Sequence, residues 1–196
     1  EVTVRMKKFF GEDVLLHTEA AKRLYDSVKA LPVVDIHCHL DRKAIAADAR
    51  FSGIGELWLS GDHYKWRAMR MLGVDEKYIT GDASYREKFI KYAEILPKLV
   101  GSPLYYWTHF ELKKIFGINA PLDGKTAEYI YERADKALSA LSVRGLLKLF
   151  DVEYVATTDD PIDDVGDCGV YGKTRGAPTF RPDRLFAWDN EYIRQL

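Results

Sequence analysis

The sequence predicts an α/β fold built on a parallel sheet, and three observations carry that prediction. Residues 33–36, VVDI, form a short apolar segment interrupted only by Asp35, and residues 152–156 form a second one. Between them, residues 42–150 show mostly helical patterns. Short apolar strands that alternate with helices are typical of parallel sheets, whose strands are covered on both faces.

A helix is predicted over residues 18–31. Thr18 can cap its first turn, and Glu19 suits the positive end of the helix dipole. Apolar residues recur at helical spacing along one face, at Ala21, Leu24, Tyr25, Val28 and Leu31. Pro32 ends the helix, because the residue before a proline avoids helical geometry. The segment 33–36 is then predicted to be a strand buried on both faces.

The long middle part of the chain contains further helix signals. Ser84 followed by Glu87 has the pattern of a capping box, with an apolar stripe after it. A second helix is predicted over 104–115, ending near Gly117, which suits a helix C-terminus. The other helices are predicted from Thr126 onward and over 142–150.

Beyond residue 150 the sequence predicts strands and a loop. The apolar segment 152–156 runs into the polar TTDDP at 157–161. Residues 162–178 are rich in glycine and have no helical period, which predicts a loop. Residues 179–180 are predicted to end a third short strand.

Composition and charge exclude several classes of protein. The 196 residues suffice for one domain with a real core, and 47% hydrophobic with 30% charged residues is typical of a soluble globular chain. Because the formal net charge is only -1, neither nucleic acid nor a membrane surface is expected as a partner.

Nothing in the sequence indicates export. No apolar run is long enough to span a bilayer, and residues 1–16 lack a signal-peptide core. The five residues before Met6 are interpreted as either a cloning remnant or a leader remnant. The two cysteines, Cys38 and Cys168, are expected to be reduced thiols. The expected compartment is therefore the cytoplasm.

Two histidines, His37 and His39, lie just beyond the first predicted strand. Side chains at positions i and i+2 of an extended segment point the same way, so both imidazoles should project together from the carboxyl end of the strand. Imidazole is a common ligand of zinc and related divalent ions. Two ligands alone do not make a metal site, and the pair by itself leaves the metal interpretation open.

The segment that carries the histidines, VVDIHCHLD, resembles the strand-one signature of the amidohydrolase superfamily of metal-dependent (β/α)8 barrels. Several longer sequence segments resemble the uronate isomerase (glucuronate isomerase) family, and they occur in the same order as in that family. They are GDHYKWRAMR at 61–70, TGDASYREKF at 80–89, GSPLYYWTHFEL at 101–112, TTDDPIDD at 157–164 and TFRPD at 179–183. The similarity runs from about Phe9 to Asp183.

The resemblance implies a fold and an activity. The fold is a TIM-type (β/α)8 barrel with a helical insertion after strand 1, of which this chain holds only the N-terminal portion. Residues 1–41 would supply a helix and strand 1, residues 42–150 the insertion, and residues 151–196 the region from strand 2 to strand 3 of one barrel domain. The activity is aldose–ketose isomerisation in hexuronate catabolism, between D-glucuronate and D-fructuronate and between D-galacturonate and D-tagaturonate.

The resemblance also assigns site residues. His37 and His39 match the family's metal ligands, for a divalent ion with zinc as the leading candidate. His63 and Tyr64 match residues of the substrate pocket with catalytic roles, and Arg181 matches an arginine that approaches the sugar acid.

The adjacent acids Asp159 and Asp160 are expected at the barrel mouth, supporting the groups that bind metal and substrate. The family's aspartate ligand from its last strand has no counterpart in this sequence, and the glycine-rich stretch after TTDDP stands where the family has a helix. The hexuronate is the expected small-molecule partner, and the oligomeric state is open, a homo-oligomer included.

Other interpretations of the same residues remain. His63 is compatible with a surface loop, Tyr64 with core packing, and Asp159 and Asp160 with a cap on the turn before Pro161. Elsewhere His109 and Trp107 are expected to be structural, with Trp107 in the core, and His17 exposed. At the level of function, the alternatives are a metal-dependent hydrolase of the same superfamily, a non-catalytic helical interaction module, and a truncated, inactive fragment.

Overall fold

The computed structural model describes residues 9–160, 162–164, 166, 168–187 and 190–194. These residues form two compact units. A helical unit contains the described residues up to Val28 together with Phe51–Leu141, and a sheet unit contains Lys29–Arg50 together with the residues from Ser142 onward. The expectation for the five residues before Met6 lies outside the described residues, as does Pro161.

The secondary structure of the described residues follows the predicted order closely. The α-helices are α1 Glu19–Val28, α2 Arg42–Ala46, α3 Ile54–Leu59, α4 His63–Met71, α5 Tyr85–Ile95, α6 Pro103–Phe116, α7 Ala127–Leu138, α8 Val143–Leu149 and α9 Asn190–Ile193. The strands are β1 Val33–Asp35, β2 Val152–Asp159, β3 Val170–Tyr171 and β4 Thr174–Phe180. Short 3-10 helices cover Glu76–Tyr78, Leu96–Leu99 and Asp183–Ala187.

The helical unit is held together by one apolar core. Its fully buried side chains come from α3 to α7 and from the segments that connect them, and the largest of them include Phe89, Tyr92, Leu112 and Ile130. The predicted capping box at the start of α5 is present, because the Ser84 and Glu87 side chains each bond to the other's backbone N–H. The apolar face of α1, by contrast, holds no buried residue.

The sheet unit contains one four-stranded sheet in the order β1-β2-β4-β3. Strands β1 and β4 both pair with β2 in parallel, which confirms the predicted parallel sheet. Strand β2 is longer than predicted and continues through Thr157 and Thr158 to Asp159, so this acid lies in a strand and not in a turn. The carboxyl ends of β2 and β4 meet at one edge, where Asp159 is level with Phe180.

The predicted loop over 162–178 is wrong in its second half. Strands β3 and β4 form an antiparallel hairpin there, in which Tyr171 is paired with Thr174. Gly172 occupies the turn with φ +66°, a left-handed conformation that glycine adopts without strain. The glycine that suggested a loop therefore permits a tight hairpin, whose second strand joins the parallel sheet.

The prediction that the first strand is buried on both faces is also wrong. Strand β1 lies at an edge of the sheet, and Val33 and Val34 are 43% and 57% exposed. A strand at the edge of a sheet is hydrogen-bonded to a neighbouring strand on one side only. The apolar residues of β1 predicted a strand, but they do not show whether other elements cover its faces.

Two further features complete the description. Among the residues that are described, none of the helices combines the length and the apolar character needed to cross a membrane. Cys38 and Cys168 are not joined in a disulfide.

Candidate active site

The two histidines converge as their spacing predicts. His37 and His39 lie just beyond the end of β1 with exposed side chains, and their Nε2 atoms are 3.2 Å apart. Two zinc–nitrogen bonds of about 2.0–2.1 Å at a tetrahedral angle place the two nitrogens about 3.3 Å apart. The observed pair therefore fits two adjacent ligands of one divalent ion, while its metal role stays a prediction.

The residue between the histidines explains why they point together. The Cys38 N–H donates to the Ala156 carbonyl of β2 at 3.0 Å, so the chain stays bonded to β2 beyond the last residue of β1, although it bends at Ile36 and His37. The Cys38 side chain is buried, which places it on the opposite side from the two exposed imidazoles. Burial raises the pKa of the Cys38 thiol, which keeps it protonated and unsuited to binding a metal ion.

The pair is not a complete metal site by itself. Within the described parts of the chain, no group of three or more histidine, cysteine, aspartate or glutamate side chains is arranged to hold a metal ion. A catalytic zinc takes about three protein ligands, so His37 and His39 would supply only part of the coordination shell.

Asp159 is held by a buried arginine that the sequence did not single out. Arg42, the first residue of α2, forms an ion pair with Asp159, and the Thr157 hydroxyl donates to the other carboxylate oxygen at 2.6 Å. Burial disfavours the charge on Arg42, but the hydrogen bond to Asp159 together with the negative charges of Asp159 and Asp163 raises the pKa of the guanidinium. The pair ties the segment that follows the histidines to the carboxyl end of β2.

Asp160 has a separate partner. The Tyr192 hydroxyl donates to its carboxylate at 2.7 Å. Burial opposes ionisation of Asp160, but the bonds from Tyr192 and from the Ile162 N–H hold the pKa of this carboxyl below its usual value. Burial and the bond to Asp160 raise the pKa of Tyr192 to about 12, so the phenol remains a donor at neutral pH.

Arg181 shares a polar cleft with the two acids. The cleft has a volume of about 400 Å³ and is lined by Thr158, Asp159, Asp160, Arg181 and Asp183. Arg181 follows β4 directly, and its Nε donates to Asp183 at 3.0 Å. Arginine carries five N–H donors, so this bond leaves others available to an anionic solute. The structure therefore brings Asp159, Asp160 and Arg181 together at the carboxyl edge of the sheet.

His63 and Tyr64 belong to the helical unit. They open α4 after the cap residue Asp62, and the His63 ring packs against Trp66 with centroids 4.8 Å apart. Tyr64 is 68% exposed, which excludes the alternative that it packs in the core. A groove of about 600 Å³ in this unit is lined by Tyr64, Trp107 and nine other residues, which lie on α4, on α6 and between them.

The expectations for the other ring residues have mixed outcomes. His109 is 2% exposed and bonded at both nitrogens, and His17 is exposed, as predicted. The placement of Trp107 in the core is wrong, because its side chain is 55% exposed. On α6, Thr108, His109 and Leu112 face the interior. Trp107 directly precedes Thr108 in the helix, and its side chain points away from that buried face.

Sequence reasoning missed Arg42 and Tyr192. Their contacts to Asp159 and Asp160 span 117 and 32 positions, which no local spacing rule covers. The one local signal was the position of Arg42, which directly follows Asp41, the residue that caps α2.

Comparison with known proteins gives a consistent result. A family model described as glucuronate isomerase matches residues 6–196. The uronate isomerase of Lachnospira eligens is 49% identical over 200 residues, which are 97% of this chain and 43% of that protein. The uronate isomerase of Caldicellulosiruptor saccharolyticus is 46% identical over 187 residues, 91% of this chain and 40% of that protein.

Solved structures agree with the sequence comparison. The crystal structure of uronate isomerase from Thermotoga maritima has a TM-score of 0.91 and 38% identity, over 96% of this chain and 44% of that one. Glucuronate isomerase from Caulobacter crescentus has a TM-score of 0.82 and 27% identity, over 95% and 43%. The chain thus spans about 40% of the length of the curated relatives it matches.

Proposed function

This chain belongs to the glucuronate isomerase family, and from that premise we propose that it carries the metal-binding end and part of the substrate pocket of a uronate isomerase. The reaction interconverts D-glucuronate with D-fructuronate and D-galacturonate with D-tagaturonate. The observation that supports the proposal most directly is the convergence of His37 and His39, with Nε2 atoms 3.2 Å apart, at the carboxyl edge of a parallel sheet. Active sites of parallel α/β barrels lie at that edge.

The cofactor of the proposed enzyme is a divalent metal ion, with zinc as the leading candidate. His37 and His39 would hold it, because their nitrogens have the separation that two ligands of one ion require. A bound divalent ion supplies polarisation of the sugar carbonyl and stabilises negative charge that develops on its oxygen.

Arg181 is proposed to bind the carboxylate of the hexuronate. A guanidinium matches the planar carboxylate with two parallel N–H···O bonds, which also fixes the orientation of the sugar acid. Arg181 is half exposed at the polar cleft, and its Nε is oriented by Asp183. Asp159 and Asp160 are each engaged by a neighbouring side chain, which favours a supporting role at this edge over direct contact with the substrate.

His63 and Tyr64 are proposed to help move the proton between the adjacent carbons of the sugar. An aldose–ketose isomerisation requires such a transfer, and an imidazole or phenol within reach can carry it. The exposure of both side chains supports this assignment, since each can meet a solute.

The finer fold and the cellular setting are proposals as well. The sheet is proposed to be a section of a (β/α)8 barrel, supported by the parallel strands β1, β2 and β4 and by the likeness to the solved isomerases. Two cysteines without a disulfide favour the cytoplasm. The proposed partner is the hexuronate itself.

Metal analysis combined with an assay on D-glucuronate tests the proposal. Because this chain spans about 40% of the length of its relatives, both measurements use a protein in which it is joined to the remaining part of a uronate isomerase. We expect that protein to retain a divalent ion and to isomerise the sugar, and its His37→Ala and His39→Ala variants to lose both the ion and turnover. His17→Ala, which removes an exposed histidine from the helical unit, serves as the matched control and should change neither.

Two results would contradict the isomerase. Hydrolysis of an ester substrate without isomerisation would favour a hydrolase of the same superfamily. Absence of both metal and turnover would favour a non-catalytic role for this chain.

A further inference from the structure

We propose that Thr158 is a positioning residue for the histidine pair: its hydroxyl holds the carbonyl of Cys38 and so sets the direction in which His37 and His39 project. The inference rests on the proposed function, because it concerns the residues that would hold the metal. Thr158 belongs to β2 and lines the polar cleft described above.

Hydrogen bonds hold three backbone groups of the histidine segment. The His37 N–H donates to the carboxylate of Asp35 at 3.2 Å. The Cys38 N–H donates to the Ala156 carbonyl at 3.0 Å, and the Cys38 carbonyl accepts from the Thr158 hydroxyl at 2.6 Å. The peptide groups on both sides of Cys38 are therefore fixed.

The Thr158 hydroxyl acts where the regular strand has already ended. In a parallel ladder, the N–H and the carbonyl of one residue bond to the residues on either side of its partner. The N–H of Cys38 still bonds to the Ala156 carbonyl, although β1 itself ends at Asp35 and the chain then bends at Ile36 and His37. The carbonyl of Cys38 bonds to a side chain two residues further along β2, which extends the hold on the segment as far as His39.

Fixing Cys38 fixes both imidazoles. The side chains of His37 and His39 leave the backbone on either side of Cys38, so a rotation of the peptide group between Cys38 and His39 would move one ring relative to the other. Threonine suits this task because its branched side chain is stiff about χ1 in a strand, so the hydroxyl keeps one direction. The 3.2 Å separation of the Nε2 atoms depends on that geometry.

The chain offers a matched control in Thr179. Its hydroxyl donates to the Thr157 carbonyl at 2.6 Å, which is the same kind of bond at the same length. Thr158 and Thr179 are both half-buried and lie opposite each other in β2 and β4. Thr158→Val and Thr179→Val therefore remove equivalent hydroxyls, but only the first bonds to the histidine segment. Thr158→Ser keeps a hydroxyl and serves as the conservative rescue.

The first test is titration of each purified chain with Co²⁺, followed by its visible absorption and by calorimetry. Loss of a residue that orients a metal ligand typically weakens metal affinity by about 10–100-fold. We expect the Co²⁺ affinity to fall by that factor in Thr158→Val and to stay near the parental value in Thr158→Ser. In Thr179→Val the Co²⁺ affinity should not change, although its thermal stability should fall about as much as that of Thr158→Val. If Thr158→Val binds Co²⁺ as tightly as the parent while His37→Ala no longer binds it, the positioning role of Thr158 is overturned and the metal role of the histidines is not.

The second test needs no metal and separates the two proposals. Crystal structures of the metal-free variants should show the Nε2 atoms at about the parental separation in Thr179→Val and clearly further apart in Thr158→Val. An unchanged separation in Thr158→Val would overturn the inference. If the rings move apart in Thr158→Val but His37→Ala binds Co²⁺ as well as the parent, the positioning role stands and the proposed metal role fails.

Discussion

A single buried histidine, His109, links the stability of the helical unit to pH. Its Nδ1 donates to the Tyr105 carbonyl at 2.7 Å, and its Nε2 accepts from the Leu122 N–H at 3.1 Å. A carbonyl at one nitrogen and an N–H at the other require the neutral ring. The rings that pack against it are those of Phe9, Phe10 and Tyr105, which carry no charge at neutral pH. Burial accordingly lowers the pKa of His109 below its ordinary value of 6.5.

We predict that the free energy of unfolding decreases as pH falls through 6.5, the ordinary value for histidine. The unfolded chain binds a proton at residue 109 in this range and the folded chain does not, so protonation favours unfolding until the lower folded-state pKa is passed. His109→Gln keeps an acceptor for the Leu122 N–H but cannot titrate. Urea unfolding at about pH 7.5 and about pH 5.5 should show a smaller difference for His109→Gln than for the parent.

Glu76 supplies the control for the pH experiment. Hydrogen bonds from Arg70 and Thr80 lower the pKa of Glu76 to about 2. A lowered carboxyl pKa contributes stability that is complete above about 4.5 and is lost only as pH falls toward about 2. Glu76→Gln should therefore lower stability equally at the two pH values. Equal pH dependence in the parent and His109→Gln would contradict the role assigned to His109.

At the scale of elements, the end of α6 depends on the backbone of one glycine. Gly117 caps the helix with φ +63°, and its N–H donates to the Leu112 carbonyl. A Cβ at this position would meet no atom within 4 Å. The left-handed conformation costs a residue with a side chain about 1–2 kcal/mol, so Gly117→Ala should lower the free energy of unfolding by about that amount.

The matched variant for this prediction is Gly61→Ala. Gly61 also has open space around its Cα, but its φ lies outside the left-handed range. An added methyl group there meets no neighbour and forces no strained backbone, so chemical denaturation should show no loss of stability. If the two variants were equally destabilised, the loss would come from replacing a glycine at any position and not from the left-handed conformation of Gly117.

Local patterns predicted elements where the determining residues are neighbours in the sequence. The capping box of Ser84 and Glu87 and the cap at Gly117 depend on residues within one helical turn, so both were predictable. The burial of β1 depends on elements distant in the sequence, and the two-residue strand β3 is too short to show a period. Both predictions failed for that reason.

At the scale of the whole molecule, the same distinction divides the candidate site. The convergence of His37 and His39 was predicted from their two-residue spacing, and it is present, although the segment bends at Ile36 and His37. The partners of Asp159 and Asp160 are Arg42 and Tyr192, which only the tertiary fold brings to them. Spacing can propose the residues that carry the chemistry, but it does not identify the residues that position them.

The helical unit contains nearly all of its core within one continuous segment, residues 51–141. Its buried apolar cluster extends from Ile54 to Leu138, with Phe51 and Leu141 packed against it. The Ile54 N–H donates to the Asp135 carboxylate at 2.6 Å, which joins the start of the segment to its last long helix. A segment that encloses its own core and returns near its starting point has the features of an independent folding unit.

We therefore predict that residues 51–141, produced alone, fold into a helical domain. Far-UV circular dichroism should show a helical spectrum with a cooperative thermal transition. The transition should lie below that of the helical unit in the intact chain, because the segment lacks Phe10, which is 4% exposed and packs against Phe110 of α6 at 5.1 Å. Ile130→Asp places a charge at a position with no exposure and should abolish the transition. Gradual, non-cooperative melting of the unsubstituted segment would show that the helical core requires the rest of the chain to fold.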